Sequence, residues 1–216
     1  TVVRKQTEIG VDVVSDGEQS KISYATYIKH RLNGFDGDSP RKTPKDLEEY
    51  PAFSKRASSS GGVPTYSRPQ CVGPITVKDL KPLEVDLQNF KDALSASEST
   101  DAFMNAASPG VIAQFQPNQH YPDHSSYLYA LADAMKVEYE GIAEAGLVIQ
   151  IDSPDLALGR HVLFKDQSDE EFVAMAELHI EALNHALQNI PAEQLRLHVC
   201  WGNYQGPHHC DIEMKK

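Results

Sequence analysis

The sequence is short of what several large classes of protein require. It has three Cys (71, 200 and 210) and a single Trp in 216 residues. An odd number of widely spaced thiols is no disulfide framework, so the expected compartment is a reducing cytoplasm, where thiols stay available as metal ligands. No apolar run approaches the roughly 18–20 residues that span a bilayer, which excludes a transmembrane helix. The opening "TVVRKQTEIG" has neither an initiator Met nor the apolar stretch of a signal peptide, so nothing in it argues for secretion. Positive charge is scarce as well: 20 Lys and Arg stand against 31 Asp and Glu, a net charge of −11. Such a surface repels phosphate, so neither nucleic acid nor membrane is an expected partner.

What is present points to one globular domain over residues 1–216, or to a piece of a larger one. "VVRKQTEIG" places Val2, Val3, Gln6 and Ile9 on one helical stripe and stops at Gly10. "VDVV" (11–14) reads as a short strand running into the acidic turn "SDGE". Residues 34–69 are rich in Pro, Gly, Ser and charge and read as a long loop excursion. "CVGPITV" (71–77) and "AFMNAASPG" (102–110) read as strands, the second ending in a turn.

A strong helix follows at 123–146, with Leu128, Leu131, Met135, Tyr139 and Ile142 at three- and four-residue steps before Gly146. "LVIQID" (147–152) has the continuous apolar entry of a strand buried on both faces. The next helix opens with a capping box, Ser168 to Glu171, and carries Phe172, Ala176, Ile180, Leu183 and Leu187 along one face. "LRLHVC" (195–200) is the last strand.

Strands alternating with helices predict parallel βαβ units, hence an α/β fold. The strand ends carry unusual chemistry: Asp16 and Glu18; Asn105 and Ser108; Gln150, Asp152 and Asp155; His198 and Cys200. In a (β/α)8 TIM-type barrel those positions converge on one mouth, whereas a doubly wound sheet with a Gly-rich dinucleotide fingerprint is not supported. The expectation is an incomplete barrel with about five of the eight strands.

His198 and Cys200, one residue apart on a strand, point to one side and suit a zinc ion, although a buried Cys is by default a small hydrophobe. In "QIDSPDLA" the residues Ser153 and Asp155 fit a turn or helix cap, whereas Asp152 at the end of an apolar strand needs a partner. Glu18 is the residue of "SDGE" that a turn alone does not explain. His208 and His209 read as polar loop, and Tyr24 and Tyr27 as helix packing.

"DVVSDGEQSKISYATYIKHRLNGF", "AASPG", "AGLVIQIDSPDLAL" and "LRLHVCWGNYQGPHH" resemble the cobalamin-independent methionine synthase family over essentially the whole chain. The likeness is nearest to its single-barrel members, which look like epoxyalkane:coenzyme M transferase. It implies a transferase of methionine biosynthesis or thiol alkylation, with a catalytic zinc at a barrel mouth. His198 and Cys200 then fall on the zinc ligands, and Asp152 and Glu18 on the carboxylates that hold a substrate amino group. Gln150, Asp155, Ser108 and Asn105 line the substrate, and "RPQCVGP" sets Cys71 at the donor side of the mouth.

The partners implied are a small-molecule thiol and a methyl or alkyl donor. Ser153 stands where the classical synthases carry Glu, and those enzymes have two barrels. By the same resemblance the chain is truncated at both ends, with further zinc ligands beyond it. Two other readings stand beside this one. One is a local structural zinc site built from His198, Cys200, Cys210 and His208 or His209. The other is an inactive barrel fragment whose open edges associate into a homo-oligomer.

Overall fold

A computed structural model describes residues 1–40, 42–59, 68–203 and 206–216. In chain order the elements are α1 (Val2–Glu8), β1 (Val13–Ser15), β2 (Leu32–Asp36), α2 (Lys45–Glu48), α3 (Pro51–Ser59), β3 (Gln70–Val77) and α4 (Lys81–Ser95). There follow β4 (Asp101–Ala107), α5 (Pro109–Phe115), α6 (His124–Glu144), β5 (Val148–Asp152), α7 (Asp169–Leu187) and β6 (Leu195–His198). Short 3-10 turns at Thr26–His30, Pro154–Leu156, Leu158–His161 and Ala192–Gln194 join them.

The sheet that carries the fold is parallel, in the order β1-β4-β5-β6. The strand predicted at 71–77 exists as β3, but it pairs antiparallel with β2 in a separate two-stranded sheet. Among the described residues the parallel sheet therefore has four strands rather than about five, with β1 and β6 as its edges. The polar, Gly-containing "LNGFD" of β2 lacks the apolar run that marks a buried strand, and a hairpin partner nearly forty residues away leaves no local turn signal. The excursion predicted over 34–69 contains regular structure: the end of β2 and all of α2 and α3 lie in it. Residues 41 and 60–67 of that stretch are outside the described ones.

Packing explains why the strongest predicted helix is correct. Tyr127, Leu128, Leu131, Met135, Tyr139 and Ile142 of α6 are all buried against the sheet and its neighbours. Full burial of such a side chain contributes about 1.5–3 kcal/mol. β5 is buried at Ile149, Gln150, Ile151 and Asp152, on both faces, as a central parallel strand should be. Gly10 and Gly146 follow α1 and α6 with φ of +88° and +81°, the left-handed termination expected of them.

Three local expectations shift. Ile9 is the C-cap of α1 and 80% exposed, while Gln6 turns inward to bond both backbone groups of Ser15. "SPG" at 108–110 starts α5 instead of closing a turn: Ser108 Oγ accepts the Val111 N–H at 3.0 Å, with Pro109 in the first helical turn. On α7 the capping box forms, but Ile180 is 43% exposed and His179 is buried in its stead. The inward stripe is drawn toward a carboxylate that binds His179, a partner hydropathy does not register.

Candidate active site

Parallel pairing stacks the strand ends in register. Ala107, Asp152 and His198 are successive partners across β4, β5 and β6, with Asn105 opposite Gln150 one step below. The loop after β5 is pinned at this level too, because the Ser108 N–H donates to the Asp152 carbonyl and the Ser153 N–H to the His198 carbonyl.

Asp152 is 5% exposed, and both of its carboxylate oxygens are held. Gln150 Nε2 donates to Oδ1 at 2.9 Å and Asn105 Nδ2 to Oδ2 at 3.0 Å. Two neutral amides fix the carboxylate's orientation and leave its charge uncompensated. The Lys21 ammonium donates to the Asn105 carbonyl and stands over the Tyr27 ring, 4.7 Å from its centroid.

Glu18 approaches from the turn after β1. Its φ of +53° is unusual for a residue with a side chain, and the turn is closed by the Glu18 N–H donating to Asp16 Oδ1 at 3.1 Å. Glu18 Oε1 is buried and has no hydrogen-bond partner. Burial pushes the Glu18 carboxyl above its ordinary value, Lys21 opposes this, Asp152 and Asp16 add to it, and His198 opposes it. Four charged or ionisable groups from three strand ends thus act on one carboxylate.

A stability consequence follows. A raised folded-state pKa means that this group's contribution is fully present below its ordinary 4.5 and is lost as pH rises through the raised value. Glu18→Gln should therefore stabilise the metal-free chain at pH 7 by up to about 1 kcal/mol, and the gain should vanish below pH 4.5. Thermal melts in the presence of a chelator at the two pH values measure this, and an equal gain at both would refute it.

Asp155 and Ser108, expected at the substrate, are bonded to each other. Ser108 Oγ donates to Asp155 Oδ1 at 2.9 Å, His179 Nδ1 lies 2.8 Å from Asp155 Oδ2, and His124 Nε2 lies 2.8 Å from His179 Nε2. Burial, with His179 beside it, pushes His124 down to about 4, so the outer imidazole is neutral at pH 7. Cys71 is fully buried in β3, its thiol donating to the Gly73 carbonyl, and the structure does not bring it to the other candidates. Burial raises its pKa, which keeps it a thiol.

His198 ends β6 and is exposed at the carboxyl end of the sheet. The strand stops there, so the alternation argument that put Cys200 on the same side does not extend to it. Cys200 is half-buried, and its sulfur accepts the Gly202 N–H at 3.3 Å. Among the described residues, the groups of three or more side chains close enough to share a metal are Glu49, His209 and Cys210, and His161, His208 and Asp211. The local four-ligand set considered from the sequence is thus divided between two places, neither including His198 or Cys200.

Residues overlooked in the sequence are Lys21, His124, His179 and the buried Arg31. A signal existed for His179, seven residues after Phe172 on the helix face. Lys21 stands one turn after Glu18, but nothing local gave it a partner.

An α/β fold whose polar side chains gather at the carboxyl ends of parallel strands is the class this chain falls in, and known proteins narrow it. No family model matches the chain. Proteins named methionine synthase are similar over most of it: that of Saccharolobus solfataricus is 27% identical over 204 residues, covering 94% of this chain and 51% of the relative. That of Sulfurisphaera tokodaii is 27% identical over 205 residues, covering 94% and 50%.

The B12-independent methionine synthase from Shewanella sp. W3-18-1, solved in complex with selenomethionine, shares the fold. Its TM-score is 0.64 at 22% identity, covering 93% of this chain and 50% of that one. The resemblance drawn from the motifs is thus borne out, and the chain spans about half the length of the relatives it matches. Among the described residues no helix is long and apolar enough to cross a membrane.

Proposed function

We propose that the chain belongs to a zinc-dependent transferase of the methionine synthase type, built on a (β/α)8 barrel, and that its mouth binds a thiol amino acid. The observation that carries this reading is the Asp152 carboxylate, clamped by Gln150 and Asn105, in register with His198 and coupled to Glu18. Two neighbouring carboxylates, with the Lys21 ammonium acting on Glu18, leave net negative charge in a half-buried site, which suits a substrate ammonium group. Glu18 Oε1, buried without a donor, is ready to accept one of its N–H bonds. A thiol carrying a sulfonate instead of an ammonium would meet like charge here, which favours a homocysteine-like substrate over a coenzyme M-like one.

His198 and Cys200 offer one imidazole and one thiolate, a donor pair suited to zinc, and would hold the ion beside the clamped carboxylate. With zinc held there, a thiol substrate would lose its proton to solvent at neutral pH and become a nucleophile toward a methyl or alkyl carbon. The chain's own share of the work is positioning: Asp152 and Glu18 fix the amino end, and the length of the substrate then sets where its sulfur lies.

Titration calorimetry with homocysteine tests this. Asp152→Asn should weaken binding about 100-fold with bound zinc unchanged, since truncating one partner of a buried charge pair costs about 2–5 kcal/mol. Cys200→Ser should lose the zinc. Unchanged homocysteine affinity in Asp152→Asn would sink the amino-group assignment. A chain that binds neither zinc nor thiol would favour the inactive-fragment reading.

A further inference from the structure

A second cluster of ligand-type side chains lies away from the mouth, where the C-terminal tail meets the turn after β5 and helix α2. It brings together residues far apart in sequence: Asp46 on α2, His161 at the end of a 3-10 turn, and His208 and Asp211 in the tail. The His161 side chain is fully buried between two carboxylates, with Nε2 3.2 Å from Asp211 Oδ1 and Nδ1 3.7 Å from Asp46 Oδ1. His208 Nδ1 is 3.5 Å from Asp211 Oδ2, and the two imidazole rings meet edge-on with centroids 6.0 Å apart.

His208 also has a φ of +54°, and its N–H donates to Asp46 Oδ2 at 3.1 Å. The tail backbone is thus held in a costly conformation that ties His208 to the buried Asp46. Donor atoms of His161, His208 and Asp211 all lie within 4.8 Å of one another. A tetrahedral ion with bonds of about 2.0–2.2 Å needs its ligands roughly 3.3–3.6 Å apart. His161 and His208 lie 3.2 and 3.5 Å from the two different oxygens of Asp211, so the carboxyl group must turn to offer one oxygen to an ion between both imidazoles.

We propose that His161, His208 and Asp211, with Asp46 beside them, bind a divalent transition cation of the zinc type, which clamps the tail onto α2 and the turn after β5. Two imidazoles and carboxylate oxygens match zinc or cobalt rather than calcium or magnesium, which prefer oxygen alone. The site contains no sulfur, and this sets it apart from the neighbouring Glu49, His209 and Cys210 and from the His198 and Cys200 pair. It is independent of the catalytic reading above.

Cobalt(II) titration of the metal-free chain, followed by absorption, tests the site. In the His198→Ala/Cys200→Ser double variant, one cobalt per chain should still bind. It should show tetrahedral d–d bands and no thiolate charge-transfer band. Adding His208→Ala, at a position accessible enough to be tolerated, should weaken that cobalt at least about 100-fold. His208→Ala alone should remove one equivalent from the otherwise unaltered chain, which keeps the test valid if the double variant fails to fold.

Limited proteolysis of the tail should quicken when the cation is removed and slow when zinc is restored. The proposal is overturned if His208→Ala binds as tightly and as many ions as the parent. It is equally overturned if the retained cobalt shows a thiolate band that disappears in Cys210→Ser, which would assign the ion to Glu49, His209 and Cys210.

Discussion

Gly110→Ala is expected to cost about 3–5 kcal/mol, enough to consume much of the stability of an ordinary domain. Gly110 is buried in the first turn of α5, where that helix crosses the loop after β5. A Cβ there would stand 2.0 Å from Asp155 Oδ2, 2.6 Å from Asp155 Cγ and 2.4 Å from His179 Nδ1. Carbon and oxygen do not approach so closely, and the obstructing atoms are not loose side-chain tips. Asp155 is held by Ser108 and His179, and His179 in turn by His124.

The added methyl must therefore either push α5 off the sheet or break the contact between Asp155 and His179. The second course leaves a carboxylate that is 2% exposed without its imidazole. Urea unfolding of the two proteins measures the difference as a fall in midpoint. A loss below about 1 kcal/mol would show that the network yields and that the contact is not rigid.

Arg31→Met is the second large expected effect, about 3–5 kcal/mol at pH 7. The Arg31 side chain is 7% exposed and bridges two carboxylates from different helices, Asp86 Oδ2 at 2.5 Å and Glu138 Oε2 at 2.8 Å. Tyr27 completes the group by donating to Glu138 Oε1 at 2.5 Å while its oxygen accepts the Ala107 N–H at 3.3 Å. The network thereby ties α4 and α6 to the end of β4, beside the candidate site. Methionine fills much of the space but leaves both buried carboxylates without their cation.

Two checks separate that cause from simple loss of packing. The deficit should shrink as pH is lowered into the carboxylate range, because protonation removes the orphaned charges. The double variant Arg31→Met/Glu138→Gln should recover part of the loss, giving a non-additive cycle. A deficit equal at both pH values, with strictly additive substitutions, would mean that Arg31 acts through packing alone.

How much of this was legible in the amino-acid order depends on how local each signal is. α6 could be read because its five spaced apolar residues and its terminating Gly146 lie within one helix. The α7 start could be read because a capping box is completed within four residues. The strand-end chemistry was legible in the same way: Asp152, Glu18 and His198 each stand just past an apolar stretch, and parallel register then sets Asp152 beside His198, while Glu18 reaches them from the turn after β1.

The failures share the opposite property. β3 looked like one more parallel strand because period-two apolarity does not say which strand it will join. α5 was hidden by its own Pro and Gly, and the face of α7 was set by a histidine that hydropathy scores as polar.

The sequence alone therefore determined the α/β alternation, the two long helices and the set of residues offered at the strand ends. Tertiary structure alone decided which of them act together. Asp152 is clamped by neighbours on its own and the adjacent strand, so its carboxylate stays at the strand ends. Asp155, three residues later and placed at the substrate only by the family resemblance, is instead held by His179. The reason is that a buried carboxylate takes whatever donor the packing brings within 3 Å. For Asp155 that donor comes from a helix folded back across the sheet, a proximity that no spacing along the chain encodes.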